Sequence, residues 1–95
     1  MDNSHATRIR ERSLEHRALG RAMLEARARR GFSQEDAAFR TGIHRNQWGA
    51  LERGEGNPTF ASLMRIAAGV DLPLSEVVAL YERQVAEARG RKAAS

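Results

Sequence analysis

Two short helical patterns are joined by a single glycine, Gly42, in the segment SQEDAAFRTGIHRNQWGALERG. Helices of this length are marginal on their own, and a packed core alone does not require so tight a join. Glycine adopts positive φ at little cost, so the chain can reverse direction at this position. The arrangement predicts a second helix that is held by one face and displayed by the other.

Capping signals mark where both of these helices begin and end. Ser33 is predicted to cap the first, with Asp36 completing a short capping box. Gly42 then ends that helix, whose inner face is formed by small residues such as Ala37, Ala38 and Thr41. The second helix covers about 44–53 and ends at Gly54.

The second helix has two chemically different faces. Trp48 and Leu51 lie three positions apart, and Ile43 leads into the same side, so these residues are expected to attach the helix to the core. The opposite side carries Arg45, Asn46, Gly49 and Ala50. A helix displayed in this way fits a DNA major groove.

The remaining chain is also helical in pattern, without the alternation that marks strands. A first helix runs from about 7 to 30 and is clearest from Leu19. A fourth begins after Thr59, and a fifth begins at Pro73. The predicted inward residues are Phe60, Leu63, Ile66, Ala67 and Val70 on the fourth, and Leu74, Val77, Val78, Tyr81 and Val85 on the fifth. The predicted fold is all-α with five helices.

The chain is expected to hold one helical domain between two terminal segments. Residues 1–18 form an N-terminal extension that is either flexible or helical, and residues 19–82 form the domain, with the two joined helices at 34–53. Residues 83–95 form a basic tail, whose last part, EARGRKAAS at 87–95, is predicted to be solvated and disordered. The Arg-rich extension is either a solvated helix face or an arm that reaches DNA.

Composition favours an anionic partner and argues against several other classes. The 95 residues carry a formal charge of +4, which suits nucleic acid. There is no cysteine, and His5, His16 and His44 have no metal-ligand spacing, so no metal or cofactor is expected. No acid, base and nucleophile stand at usable spacing, so an enzyme is not expected. No apolar run reaches membrane-spanning length, and a cytoplasmic, nucleoid-associated location is expected.

Residues 19–80 resemble the lambda-repressor-like, or Xre-type, helix-turn-helix family. Three motifs carry the resemblance: LGRAMLEARARRGFSQEDAAF, TGIHRNQWGALERGEGNPTF and LMRIAAGVDLPLSEVV. The family implies a five-helix DNA-binding domain in which the third helix reads the DNA. Trp48 departs from the isoleucine or valine that is usual at its position, and it is expected to belong to the core.

The resemblance implies roles for individual residues. Arg45, Asn46 and Ala50 would face the bases, since arginine pairs with guanine, asparagine with adenine, and alanine meets the thymine methyl. The phosphate contacts implied are Gln34, His44, Arg53 and Asn57. A partly buried, structural ion pair is implied between Arg27 and Glu52.

The charge pattern makes a second subunit relevant to binding. Between Gly31 and Phe60 there are three arginines and four acids, so the predicted DNA face is not strongly basic. Dimerisation or the tails would then supply further phosphate contacts. The apolar stripe of the fifth helix is first of all core, and its far end, with Val78, Tyr81 and Val85, is a candidate homodimer interface.

The sequence therefore predicts a transcriptional regulator, most simply a repressor, that binds an inverted-repeat operator as a homodimer. One alternative is an antitoxin-type module that binds a partner protein and autoregulates through DNA. Another is a subunit of a larger assembly that uses the helical fold only for protein contacts, for which the acid-rich segment between Glu35 and Glu55 is the main argument.

Overall fold

A computed structural model describes residues 13–94, with side chains described as far as Arg91. This part of the chain contains five α-helices and no strand, as predicted. The helices are α1 (Leu14–Arg29), α2 (Gln34–Thr41), α3 (Arg45–Glu52), α4 (Phe60–Gly69) and α5 (Leu74–Ala94). None of these helices is long and apolar enough to cross a lipid bilayer.

The first helix begins earlier than the clearest part of its pattern. Ser13 caps α1, and its hydroxyl accepts a hydrogen bond from the His16 amide at 3.0 Å. Leu14 to Ala18 are therefore helical, and the boundary drawn at residue 19 does not mark a change in structure. The predictions for residues 1–12, including the DNA-reaching arm and His5, lie outside the described residues.

One hydrophobic core joins all five helices. Its largest fully buried side chains come from four of them and from Val70, the residue that follows α4: Trp48, Met23, Ile66, Leu80, Val70 and Val77. The helix α1 packs against both α5 and α3, while α4 packs against α2 and α5. Because α1 contacts α3 directly, the position of α3 is set by its packing against the rest of the domain.

Several predicted core positions are different in the structure. Phe60 is 66% exposed and Val78 is 41% exposed, although both were predicted to point inward. Leu80 is buried, although the predicted apolar stripe of α5 omitted it. Pro73 lies just before α5, where its carbonyl accepts from the Val77 amide at 3.3 Å.

The prediction of a disordered segment at 87–95 is wrong for the residues described. The helix α5 continues to Ala94, Val85 is buried, and Arg89 Nη2 pairs with Glu15 Oε2 of α1 at 3.1 Å. Alanine, arginine and glutamate are strong helix formers, which outweighs the cost of Gly90 within the helix. The charged composition of this segment reflects an exposed helix face rather than a loss of structure.

Candidate nucleic-acid interface

The turn between α2 and α3 is built as the sequence predicts. The Ser33 hydroxyl accepts from the Asp36 amide at 3.0 Å, while the Asp36 carboxylate accepts from the Ser33 amide at 2.9 Å. Gly42 has φ 74°, and its amide donates to the Ala38 carbonyl at 2.9 Å. A side chain would strain this left-handed conformation, so glycine allows α3 to follow α2 directly.

The helix α3 is fixed by its inner face and by its cap. Trp48 is completely buried, and Ile43 and Leu51 are nearly so, which confirms the core role predicted for the tryptophan. His44 is the N-cap, and its Nδ1 accepts from the Asn46 amide at 3.2 Å. Gly49, which was predicted to lie on the outer face, is buried.

The outer face of α3 presents three consecutive polar side chains. Arg45, Asn46 and Gln47 are exposed in its first turn, while Ala50, one turn later, is half-buried. The prediction did not include Gln47. Arg45 Nε lies 3.8 Å from Glu35 Oε2 of α2, and both side chains remain mostly exposed. The arginine is thus held loosely enough to turn toward another partner.

The Glu52 carboxylate at the end of α3 connects three helices. Arg27 of α1 donates to it from Nε at 2.6 Å and from Nη2 at 3.1 Å, so the predicted ion pair is present. Gln34 Nε2 of α2 donates at 2.9 Å, and Trp48 Nε1 donates at 2.6 Å. We call Arg27, Gln34, Trp48 and Glu52 the carboxylate network.

The carboxylate network keeps Glu52 ionised although its side chain is only 4% exposed. Burial by itself would raise the pKa of this carboxyl. Hydrogen bonds from Arg27, Gln34 and Trp48, together with the arginine charge, outweigh burial and leave the pKa of Glu52 below its ordinary value. The same pairing raises the pKa of Arg27, so both partners are charged near neutral pH.

Two of the predicted phosphate ligands are brought together beside Gly49. The point where a Gly49 Cβ would stand lies 3.3 Å from Arg53 Nη1 and 3.7 Å from Gln34 Oε1. Arg53 also contacts Glu55, with Nε and Nη2 each 3.4 Å from a carboxylate oxygen. Sequence reasoning gave no role to Gly49 or Glu55, since neither carries a recognisable ligand pattern.

Asn57 lies at a different place from these two ligands. It is exposed in the loop between α3 and α4, where it borders a mainly apolar groove of about 330 Å³. The other groove residues are Glu15, His16, Leu19, Leu63, Leu74, Val77, Val78 and Tyr81. Val85 is buried within its own chain, so the candidate subunit interface is reduced to Val78 and Tyr81.

Between residues 13 and 91, no three His, Cys, Asp or Glu side chains are grouped so that they could hold a metal ion.

The sequence matches known regulators over the same region. Residues 23–77 match the helix-turn-helix family HTH_3. The chain is 36% identical over 62 residues to the HTH-type transcriptional regulator SutR of Escherichia coli strain K12, a match that covers 65% of this chain and 35% of SutR. The matched segment thus spans only about a third of the length of that relative.

Solved structures agree with this match. The restriction-modification controller protein C.AhdI from Aeromonas hydrophila superposes with a TM-score of 0.67 and 29% identity, covering 68% of this chain and 98% of that protein. An HTH_3 family transcriptional regulator from Vibrio cholerae superposes with a TM-score of 0.64 and 33% identity, covering 67% of this chain and 36% of that one.

Proposed function

The chain belongs to the helix-turn-helix family of DNA-binding transcriptional regulators, and we propose that it reads an operator through the exposed face of α3. Arg45 and Asn46 are the proposed base readers, with Ala50 placed to meet a thymine methyl. Gln34, His44, Arg53 and Asn57 are the proposed phosphate contacts. The most direct outcome of such binding is repression by covering a promoter.

The observation that carries this proposal is the contrast between the two faces of α3. Trp48 and Leu51 are buried in the core, whereas Arg45 and Asn46 are exposed in the first turn. A helix fixed on one side presents its polar side chains in a constant geometry, which bidentate base recognition requires. Each such contact discriminates against a wrong base by about 1–3 kcal/mol.

We further propose that the protein binds DNA as a homodimer in the cytoplasm. Val78 is 41% exposed and borders the apolar groove together with Tyr81. A second copy seated on this face would double the number of phosphate contacts. The added phosphate contacts would offset the repulsion between the DNA backbone and the acids near α3. Two recognition helices about 34–36 Å apart would read an inverted repeat.

The test is selection of bound fragments from random DNA, followed by sequencing. Wild-type protein is compared with Arg45→Ala/Asn46→Ala, and the affinity for the selected site is measured across a range of salt. We expect an enriched inverted repeat for the wild type. The double variant should lose this preference but keep weak, salt-sensitive binding, because phosphate contacts carry no base information.

A matched control removes one positive charge elsewhere. Arg83 lies on α5, where Nη1 is 3.7 Å from Glu25 Oε2, so Arg83→Ala lowers the net charge without touching α2 or α3. This variant should select the same site as the wild type. If wild-type protein shows neither an enriched sequence nor binding at low salt, DNA recognition by this chain is refuted.

The antitoxin-type function remains the second proposal, because the surface has apolar features that DNA does not use. Phe39 on α2 is 89% exposed, and the groove beside Val78 is lined mainly by apolar side chains. A partner protein would bury such residues. Copurification of a second protein with the full chain from its native cell, lost in Phe39→Ser or Val78→Glu, would favour this function.

A further inference from the structure

We propose that Gln34, Gly49 and Arg53 form one shared site for a single DNA backbone phosphate, in which Gly49 lets the Gln34 and Arg53 side chains meet. This inference rests on the proposed DNA-binding function and goes beyond the assignment of Gln34 and Arg53 as separate ligands. We call these three residues the phosphate seat. Its donors are Gln34, at the start of α2, and Arg53, just after α3, and their side chains meet over Gly49.

The first donor is the Gln34 amide, whose orientation is set by Glu52. Only a donor can face a carboxylate, so Nε2 must be the atom that points to Glu52 Oε1, 2.9 Å away. A primary amide carries two N–H groups. The network therefore uses one of them and leaves the other for an acceptor at the surface. Gln34 itself is half-buried, which restricts the motion of its side chain.

The second donor is Arg53, whose guanidinium nitrogens also point toward two different neighbours. Nε and Nη2 are directed at Glu55, while Nη1 approaches Gly49. An arginine that binds a carboxylate through Nε and Nη2 still has N–H groups on Nη1 for a phosphate oxygen. Glu52 and Glu55 are thus positioning residues, which hold the two donors without contacting DNA themselves.

Gly49 explains why these donors can converge. A Cβ at this position would stand 3.3 Å from Arg53 Nη1 and within 4 Å of both Gln34 amide atoms. The helix gains nothing locally from the glycine, since alanine is the better helix former. Gly49 lies within a helix, and no positive φ requires it there. The use of glycine is accounted for by the two donor side chains, which lie over it and would meet a Cβ.

The experiment separates this role from a structural one by measuring stability and binding on the same variants. Gly49→Ala should unfold at the same or a higher temperature than wild type, because its Cβ meets only flexible side-chain ends. The same variant should bind the selected operator and a random duplex about tenfold more weakly, a fold-change that corresponds to the loss of roughly one charged hydrogen bond. Arg53→Ala should lower the salt slope by about one.

A double-mutant cycle provides the decisive comparison. If both residues serve one phosphate, Gly49→Ala should cost much less affinity in the Arg53→Ala background than in wild type. Additive losses, or an unchanged affinity of Gly49→Ala, would overturn the phosphate seat while the operator reading stands. Absence of any wild-type DNA binding would overturn the phosphate seat together with the proposed function, so the two failures are distinguishable.

Discussion

Trp48 and Glu52 lie one turn apart on α3, and the indole N–H of Trp48 donates to the Glu52 carboxylate at 2.6 Å. The same carboxylate receives Arg27 of α1 and Gln34 of α2. Trp48 anchors α3 in the core, and Glu52 links α3 to two other helices. These two side chains are hydrogen-bonded to each other. The stability of the fold and the position of the exposed face of α3 therefore depend on one set of contacts.

Removing the carboxylate should destabilise the fold strongly. In Glu52→Ala the Arg27 guanidinium, whose side chain is 17% exposed, loses its charge partner. Breaking a buried pair from one side costs about 3–5 kcal/mol, and we expect about 2–4 kcal/mol here because Arg27 retains some access to water. Trp48→Phe, which removes the indole donor and leaves a small cavity in the core, should cost about 1–3 kcal/mol. Urea unfolding of both variants checks this, and wild-type stability of Glu52→Ala would refute the structural role.

Acid should weaken the protein partly through Glu52. Its pKa is lowered in the folded state, so it binds a proton more readily when unfolded, at about pH 4.3. Its contribution is complete above that pH and is lost as the pH falls through the lower, folded pKa. The pKa of Asp36 is also lowered, chiefly by the Ser33 amide, and acts in the same direction. The stability gap between wild type and Glu52→Gln should therefore shrink from pH 7 to about pH 3 in urea titrations, whereas parallel pH profiles would contradict this.

A glycine on α1 is expected to be essential for the packing of α3. A Cβ on Gly20 would stand 2.5 Å from the backbone carbonyl oxygens of both Leu51 and Glu52. Backbone atoms cannot move aside as a side chain can, so Gly20→Ala should cost at least the roughly 1–3 kcal/mol of overpacking. Gly90→Ala on α5 is the control, since it meets nothing within 4 Å and should stabilise the helix by about 0.5–1 kcal/mol. Equal melting temperatures for the two variants would disprove the close contact.

Loss of a competing acid should strengthen DNA binding. Glu35 Oε2 lies 3.8 Å from Arg45 Nε, and its side chain is 79% exposed. Glu35→Gln removes a negative charge beside a proposed base reader and leaves the side-chain size unchanged. We expect the operator affinity to rise about two- to fivefold, the scale of an exposed charge pair. Glu76→Gln, an exposed acid in the first turn of α5, should change affinity less. Equal gains from both would indicate a general charge effect only.

The proposed dimer should depend on Val78. Val78→Glu places a charge on an exposed position beside the apolar groove, so the folded monomer should be retained while association is lost. Sedimentation equilibrium measures the association, and circular dichroism checks that the helices persist. Phe39→Ser, which removes an exposed aromatic side chain on α2, is the matched control and should leave association unchanged. A dimer that survives Val78→Glu would place the interface elsewhere.

Local signals were the most reliable guide to this fold. Ser33 and Thr59 cap their helices because short polar side chains bond nearby amides, and such bonds are specified within three residues. The Arg27–Glu52 pair was anticipated only through family resemblance, since nothing local joins residues so far apart in the chain. The base and phosphate contacts remain predictions.

The errors occurred where packing between helices decides the outcome. Phe60 continues the apolar stripe of α4, but its first-turn position is left uncovered by neighbouring helices. Gly49 reads as an outer-face position on a helical wheel, yet side chains from Gln34 and Arg53 close over it. The end of α5 appeared unstructured from its charges, although Glu15 of α1 supplies a partner for Arg89.

The complete burial of Trp48 gives the protein a built-in optical reporter. It is the single tryptophan of the sequence, it lies within α3, and its indole is shielded from water. Its emission should therefore be blue-shifted in the native state and should move to longer wavelength when α3 leaves the core. Detachment of that helix can thus be followed by fluorescence without a label, separately from loss of total helix content.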